Sequence, residues 1–179
     1  MRFPRALFAA LVICSQLFAT TIVPMSVERL TRASTNVVVA QAADSWTEWN
    51  SEHTLIYTVT RFNVQRSLKG AAPEALVVKQ MGGTSGAYQQ KVAGVRHWQS
   101  GERSVLFIHP SETKDGRYVV TGLMQGNFAI KSSAADPVVS NGVEGVESLD
   151  PNTKTVKAYR GSAMRFSELA ERVRKADIQ

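Results

Sequence analysis

The sequence predicts a mostly β protein: a small closed or partly open β-barrel with a short helix before it and another helix after it. Three observations lead to this prediction. Several segments rich in Val, Ile, Thr and aromatic residues follow one another between turns that contain Gly, Pro or Asp. One of them, residues 54–70, is longer than the others. Helical spacing of apolar residues appears near the two ends, at residues 26–34 and 167–177.

The first 21 residues have the organisation of a secretory signal peptide. Arg2 and Arg5 form a basic start, residues 6–19 form an apolar run, and small residues follow it. An uncleaved membrane anchor is the alternative, but an ordinary transmembrane helix needs about 20 apolar residues. We therefore expect residues 1–21 to be removed and the mature chain to be secreted or periplasmic. No stable membrane insertion is expected after removal.

Charge and cysteine content narrow the classes of function. The chain has 21 Lys and Arg against 15 Asp and Glu, and removal of Arg2 and Arg5 leaves 19 against 15, a net charge of +4. So small a charge on an exported chain counts against nucleic acid as the partner. Cys14, the single cysteine, lies in the predicted signal. The predicted mature chain therefore has no disulfide, no cysteine nucleophile and no cysteine ligand for zinc.

The first predicted elements lead up to the long segment. Ser26 is expected to cap the N-terminal helix, and the β-branched run at residues 36–43 predicts a buried strand. The polar residues 44–53 are expected to form a connection. Trp46 and Trp49 in this connection are expected to cover the open end of the barrel rather than to bind a ligand.

Residues 54–70 predict the central strand of the sheet. Alternate residues from Ile56 to Leu68 share one face, while the other face is apolar up to Val59 and becomes polar after Arg61. A strand that changes from two-sided to one-sided burial is expected to bend where a small barrel closes. We therefore predict a bend or a β-bulge near residues 60–63.

The remaining elements are shorter. Strands are predicted at residues 75–80, 87–95, 103–109, 117–121 and 127–131, and the last of these is expected to be the final strand of the sheet. The glycines of residues 81–86 lack the Lys-Ser/Thr ending and the helix of a phosphate-binding loop, so they indicate turn geometry. Residues 132–151 are expected to form an irregular, exposed excursion. An edge strand at residues 155–159 and a helix capped by Ser167 complete one predicted domain, residues 22–179.

The order of these segments resembles that of a group of exported bacterial proteins, and it is similar to the OB-fold of tissue-inhibitor-of-metalloproteinases and netrin-type domains. The resemblance covers residues 27–131 and rests on Lys69-Gly70 and on Gly101-Glu102. It implies an OB-like barrel and a bias towards binding other proteins outside the cytoplasm. The tissue inhibitors bind catalytic zinc through an N-terminal cysteine, which the predicted mature chain lacks, so no residue here inherits that role.

The sequence contains no pattern that predicts catalysis. His53, His97 and His109 are not paired at helical spacing, and there is no G-x-S-x-G nucleophile elbow. Glu144 and Glu147 lie in the predicted excursion, a poor support for catalysis by paired carboxylates. We therefore predict no catalytic residue, no metal site and no cofactor.

The candidate recognition surface lies between residues 80 and 98, where Gly-rich backbone adjoins aromatic and basic side chains. Its predicted residues are Gln80, Gly82, Gly83, Tyr88, Arg96, His97 and Trp98. The alternative is that Tyr88 and Trp98 cover the end of the barrel.

These features predict an exported, non-catalytic binding module. Its expected partner is another exported protein, such as an extracellular protease. Two alternatives stay open: an OB-type domain that binds single-stranded nucleic acid or another ligand through aromatic side chains, and a hydrolase.

Overall fold

The computed structural model describes residues 20–142 and 146–178. Residues 1–19 of the predicted signal peptide lie outside the described residues, whereas Thr20 and Thr21 belong to the first strand. The elements are β1 (Thr20–Ile22), α1 (Val27–Ala33), β2 (Asn36–Trp49), β3 (Ile56–Lys69), β4 (Ala75–Met81), β5 (Gly83–Ser85), β6 (Tyr88–Gln90), β7 (Arg103–Pro110), β8 (Tyr118–Val120), a 3₁₀ helix (Leu123–Gly126), β9 (Asn127–Ile130), β10 (Val138–Ser140), β11 (Val146–Leu149), β12 (Val156–Ala158), β13 (Ala163–Arg165) and α2 (Phe166–Asp177).

Five strands close into a barrel. β2, β3, β4, β8 and β7 pair in that order, and β7 pairs back with β2. The predicted mostly β barrel, with a short helix before it and a helix after it, is therefore confirmed. The weakest join in the ring is between β4 and β8, which pair in parallel at the single residue pair Val78–Tyr118.

The sheet continues beyond the barrel because β7 divides its second edge between two partners. Arg103 to Leu106 pair with β9, while Ile108 to Pro110 pair with β8. On its other edge β9 pairs with β10, and β10 pairs in turn with β13, both antiparallel. The prediction that residues 127–131 form the last strand of the sheet is therefore wrong.

Residues 132–151 contain more regular structure than the sequence predicted. β10 brings Val139 into the core, where it is fully buried. β11 pairs in parallel with β1 and antiparallel with β12 to form a separate three-stranded sheet. The prediction of an irregular exposed excursion is wrong for these two strands, because strands of three and four residues are too short to show a period of two in the sequence. The predicted edge strand at residues 155–159 is present as β12.

The first half of β2 and the strand β7 bury side chains on both faces, which explains the almost continuous apolar sequence of these segments. One face points into the barrel, where Val38, Leu106 and Phe62 belong to a single buried cluster. The other face carries Val37 and Phe107 into a second cluster against the two helices. The barrel and the helices therefore share these two strands as a common wall.

The strand β2 is longer than predicted. It continues through Trp49, so the expected connection at residues 44–53 is mostly strand. Trp46 lies on the exposed part of β2 with 37% of its surface accessible, so the expectation that it covers the barrel end is wrong. Pairing with β3 at every residue from Asp44 to Trp49 outweighs the polar composition of this stretch.

A β-bulge lies at the predicted position, but its extra residue is on the neighbouring strand. Ala42 pairs with Phe62 and Asp44 with Arg61, which leaves Ala43 of β2 unpaired opposite β3. The pairing of β3 with β4 is unbroken from Tyr57 to Asn63. The prediction of an irregularity near residues 60–63 is thus confirmed for the β2–β3 ladder only.

The helix α2 is capped from outside its own sequence. The prediction that Ser167 is its N-cap is wrong, because the helix begins at Phe166. The Asp136 carboxylate accepts hydrogen bonds from Ser167 N and Oγ, at 2.8 and 2.9 Å. By contrast, Ser26 caps α1 as predicted, accepting from the backbone N–H of Arg29 at 3.2 Å.

An ion pair joins the two helices. Arg172 of α2 donates from Nε and Nη2 to the two carboxylate oxygens of Glu28 of α1, at 2.7 and 3.0 Å. These hydrogen bonds lower the pKa of Glu28 to about 2, against the opposing effect of burial. The pair therefore favours the folded state only while Glu28 is ionised.

We expect Glu28→Gln to remove an acid-dependent part of the stability. Because the pKa in the folded state lies below the ordinary value of 4.5, the stabilisation is complete above pH 4.5 and is lost as the pH falls towards 2. The pair is about one-third exposed, so we expect roughly 1 kcal/mol after screening by solvent. Urea unfolding of both proteins at pH 6, 4 and 2.5 measures this difference. A difference that stays constant over this range would contradict the assignment.

Candidate functional site

One end of the barrel combines an exposed hairpin with partly exposed aromatic side chains. The register places Glu48 of β2 beside Tyr57 of β3, and Tyr57 beside Met81 of β4. The chain leaves β4 through Gly82 and forms the hairpin β5–β6 at this same end.

The hairpin is held against the barrel by hydrogen bonds and by close packing. Thr47 Oγ1 donates to the carbonyl oxygen of Thr84 at 2.8 Å, and Gln90 Oε1 accepts from the backbone N–H of Ile56 at 2.7 Å. Gly83 has φ +142°, and a Cβ atom there would lie 2.6 Å from Thr58 Oγ1. The glycines therefore provide turn geometry, as the sequence indicated, and Gly83 also allows the close approach to Thr58.

Three aromatic side chains form a cluster at this end of the barrel: Trp49, His53 and Tyr88. We call them the rim cluster. The Trp49 ring stacks on His53 with 6.0 Å between centroids and meets Tyr88 edge to face at 5.6 Å. Tyr88 is 68% exposed. Trp49 is half-buried and contacts the exposed Tyr88, and its expected role in covering the barrel end stays a prediction. The cluster presents a large aromatic surface at fixed positions.

The predicted recognition surface divides into two groups. Gly82, Gly83 and Tyr88 belong to the hairpin or its approach, and His97 joins them because its Nε2 lies 3.2 Å from the Met81 carbonyl oxygen. Arg96 forms the second group: it precedes His97 in the chain, and its Nη2 lies 2.6 Å from Glu102 Oε1.

Trp98 lies in the core instead of on the surface. It is 4% exposed and meets Phe62 edge to face inside the barrel, with 4.9 Å between centroids. Its Nε1 lies within hydrogen-bond distance of Ser104 Oγ and Asn127 Oδ1, at 3.2 and 3.3 Å. Trp98 therefore packs in the barrel interior, whereas the alternative considered from the sequence placed it over the end of the barrel.

Gln80 is also buried, and it lines a pocket that sequence reasoning missed. The pocket has a volume of about 280 Å³. It lies where β4 and β8 diverge beyond their single bridging pair, and we call it the seam pocket. Its lining residues are Tyr57, Lys79, Gln80, Met81, Val95, His109, Ser111, Glu112, Thr113, Val119, Val120 and Leu123.

Charged side chains border this region and are paired with one another. Arg117 donates to both carboxylate oxygens of Glu48, and these hydrogen bonds hold the pKa of Glu48 below its ordinary range. Lys79 Nζ lies 3.6 Å from Asp115 Oδ2 and 4.3 Å from the centroid of the Tyr57 ring. The fold therefore uses these charges to hold the barrel strands together.

The histidines occupy three separate settings: His53 in the rim cluster, His97 beside the Met81 carbonyl oxygen, and His109 with Nδ1 beside the Pro110 carbonyl oxygen at 3.1 Å. Within residues 20–142 and 146–178, no group of three His, Cys, Asp or Glu side chains is placed to hold a metal ion. In the same part of the chain, no helix is long and apolar enough to cross a membrane.

The two short motifs behind the family resemblance have structural roles. Lys69 Nζ donates to the Thr31 carbonyl oxygen at 2.8 Å, and Gly70 approaches so closely that a Cβ atom would lie 2.6 Å from the Thr35 carbonyl oxygen. The Gly101 N–H donates to the Ala42 carbonyl oxygen, and the Ala42 N–H donates to the Glu102 carbonyl oxygen, both at 2.8 Å. The second motif therefore holds β2 beside its bulge.

No family model matches this chain, and no curated protein matches it significantly.

Proposed function

We propose that this chain is an exported, non-catalytic module that binds another protein through the rim cluster. The exposure of Tyr88 on a braced hairpin is the observation that carries the proposal. Tyr and Trp are enriched at protein interfaces because they bury a large area with few rotatable bonds. A tyrosine that is already supported by Trp49 loses little freedom on binding.

The remaining parts of the proposal rest on the sequence and the barrel. Residues 1–21 supply the features of an export signal. An OB-fold is a five-stranded Greek-key barrel, and the closed ring of five strands supports placing this barrel in that class. The resemblance to netrin-type domains favours an extracellular protease as the partner.

We expect Tyr88→Ala to weaken capture of the partner about tenfold or more, since truncated aromatic anchors have effects of this size. The mature protein and the variant are immobilised, and proteins retained from culture medium or periplasm are identified and titrated. Val156→Ala is the matched control, because Val156 is 49% exposed on β12, away from the rim cluster. Equal capture by Tyr88→Ala and Val156→Ala would contradict the role of the rim cluster.

Oligonucleotide binding by the same proteins distinguishes the nucleic-acid alternative from protein binding. Stacking of bases on the rim cluster would give oligonucleotide binding that weakens steeply as salt is raised. Such binding, together with no captured protein, would replace the proposed function with that alternative.

A further inference from the structure

We propose that export ends with cleavage of the peptide bond between Ala19 and Thr20, so that β1 becomes the N-terminal strand of the mature protein. This inference rests on the proposed export and moves the end of the signal two residues earlier than the sequence alone placed it. The reaction is a hydrolysis: water adds to the carbonyl carbon of Ala19, which keeps the new carboxylate, and Thr20 leaves with a free amine. A signal peptidase of the exporting cell supplies the catalytic groups.

The local sequence leaves three bonds open, because cleavage sites of export signals are marked by small residues. Ala40-Gln41-Ala42 is the only Ala-x-Ala in the chain and matches that pattern best. A cut after Thr21 has a second small residue, Ala19, two positions before it. A cut after Ala19 has Leu17 at the corresponding position. The sequence alone therefore does not favour Ala19, and the fold has to separate the three bonds.

A cut after Ala42 is incompatible with the barrel. It would remove α1 and the first half of β2, whose residues 36–41 pair with β7 and whose residues from Val37 onwards pair with β3. The side chains of Val37 and Val38 have no exposed surface and belong to the helix-packed core and to the barrel interior, respectively. Both cores therefore need the chain that precedes Ala42.

The chain just before α1 is also held in place. Ile22 is 8% exposed and belongs to a buried cluster with Val146 of β11. Gln125, itself 3% exposed, accepts from the backbone N–H of Met25 at 2.7 Å and donates to the Val23 carbonyl oxygen at 3.2 Å. These hydrogen bonds satisfy both ends of a buried amide. The mature chain must therefore include Ile22.

The strand β1 decides between the two remaining bonds. Its three residues pair in parallel with residues 146–148 of β11. A cut after Thr21 would leave only Ile22 of this strand, and a single residue does not maintain a ladder of hydrogen bonds. β11 would then expose an unpaired edge, which folded proteins usually cover. A cut after Ala19 keeps the whole strand.

The sequence before the proposed cut agrees with this position. The apolar run that begins at residue 6 is uninterrupted up to Cys14, and Ser15 and Gln16 are its first polar residues. An uninterrupted run of nine residues lies within the roughly 7–15 residues of export signals. Residues 15–19 then separate this run from the bond that is cut.

The first residue of the exported protein tests the proposal directly. The full chain of 179 residues, with an affinity tag at its C-terminus, is expressed in a Gram-negative bacterium, and periplasm and medium are separated from membranes and cytoplasm. Intact mass and N-terminal sequencing should identify Thr20 as the first residue. An exported protein that begins at Ile22, at Ala43 or at any other residue would overturn the inference and leave the proposed export intact. A chain that stays uncut in the membrane or the cytoplasm would overturn both.

Two matched substitutions locate the bond by a second measurement. Ala19→Gln places a large polar side chain directly before the proposed cut, and we expect at least tenfold less processed protein. Thr21→Gln places the same side chain two residues after the cut, at an exposed position of β1. We expect this variant to be processed normally and to begin at Thr20. Blocked processing of Thr21→Gln would show that the bond after Thr21 is the one that is cut.

The contribution of β1 to stability tests the structural reason. Chains that begin at Thr20 and at Ile22 are released from a cleavable tag and compared by thermal unfolding. We expect the chain that begins at Ile22 to unfold roughly 3–6 °C lower, since it lacks the hydrogen bonds of two strand residues. Equal midpoints would overturn the placement of the cut before Thr20.

Discussion

Phe62→Ala is expected to lower the free energy of unfolding by about 3–5 kcal/mol, the usual cost of truncating a buried phenylalanine. Phe62 has no exposed surface and lies within the barrel, where its ring meets Trp98 edge to face at 4.9 Å. Truncation leaves a cavity and removes this aromatic contact. Since a domain is stable by only about 5–15 kcal/mol in total, the loss is a large part of its stability. Urea unfolding followed by circular dichroism measures it.

Arg61→Ala is the control on the adjacent residue of the same strand. The side chain of Arg61 is 54% exposed and lies 3.6 Å from Asp44 at the surface. We expect a change within about 0.5 kcal/mol, as is usual for an exposed ion pair. If Phe62→Ala were no more costly than Arg61→Ala, the interior of the barrel would not be packed around Phe62.

Much of the barrel could be predicted because, in its strands, apolar and polar residues alternate in the sequence as buried and exposed side chains alternate in the structure. In β3 the buried row of Ile56, Thr58, Thr60 and Phe62 alternates with residues that become exposed after Val59. This period of two is the direct mark of a strand with one face in the core. The two helices were recognisable for the same reason, at a period of 3.6.

The extent of β2 and the strands β10 and β11 could not be predicted in this way. The second half of β2 is polar, and its strand conformation depends on pairing with β3 across the loop near His53. β11 pairs with Thr20–Ile22, more than a hundred residues earlier in the chain. Pairing with so remote a segment leaves no local sign, and strands of three or four residues, such as β10 and β11, are too short to show a period of two.

The candidate site was only partly predictable because exposure depends on tertiary packing. Tyr88 and Trp98 are both aromatic residues of the same connection, yet one is 68% and the other 4% exposed. Nothing in the local sequence separates them. Gln80 did carry a signal: it is a polar residue at an inward position of β4, after Leu76 and Val78. Because Gln is usually exposed in proteins, its place in an apolar row was the local sign that this part of β4 borders a pocket.

Leu169→Ala provides the complementary test for the core between the barrel and the helices. Leu169 has no exposed surface and shares a buried cluster with Leu30 of α1, Val37 of β2 and Phe107 of β7. Truncation is expected to cost about 2–5 kcal/mol in the free energy of unfolding. Glu171→Ala on the same helix is the control; because this side chain is 55% exposed, we expect it to leave the midpoint of urea unfolding almost unchanged.

The form of the transition matters as much as the size of the loss. The strands β2 and β7 form a wall of the barrel interior and also a wall of the helix-packed core. Damage to either core should therefore lower the stability of the whole domain in one cooperative transition, as expected for a chain of this size that forms one unit. Far-ultraviolet and near-ultraviolet circular dichroism should give coincident unfolding curves for Leu169→Ala. Loss of helical signal before the near-ultraviolet signal changes would mean that α2 detaches independently, and that the shared strands do not couple the two cores.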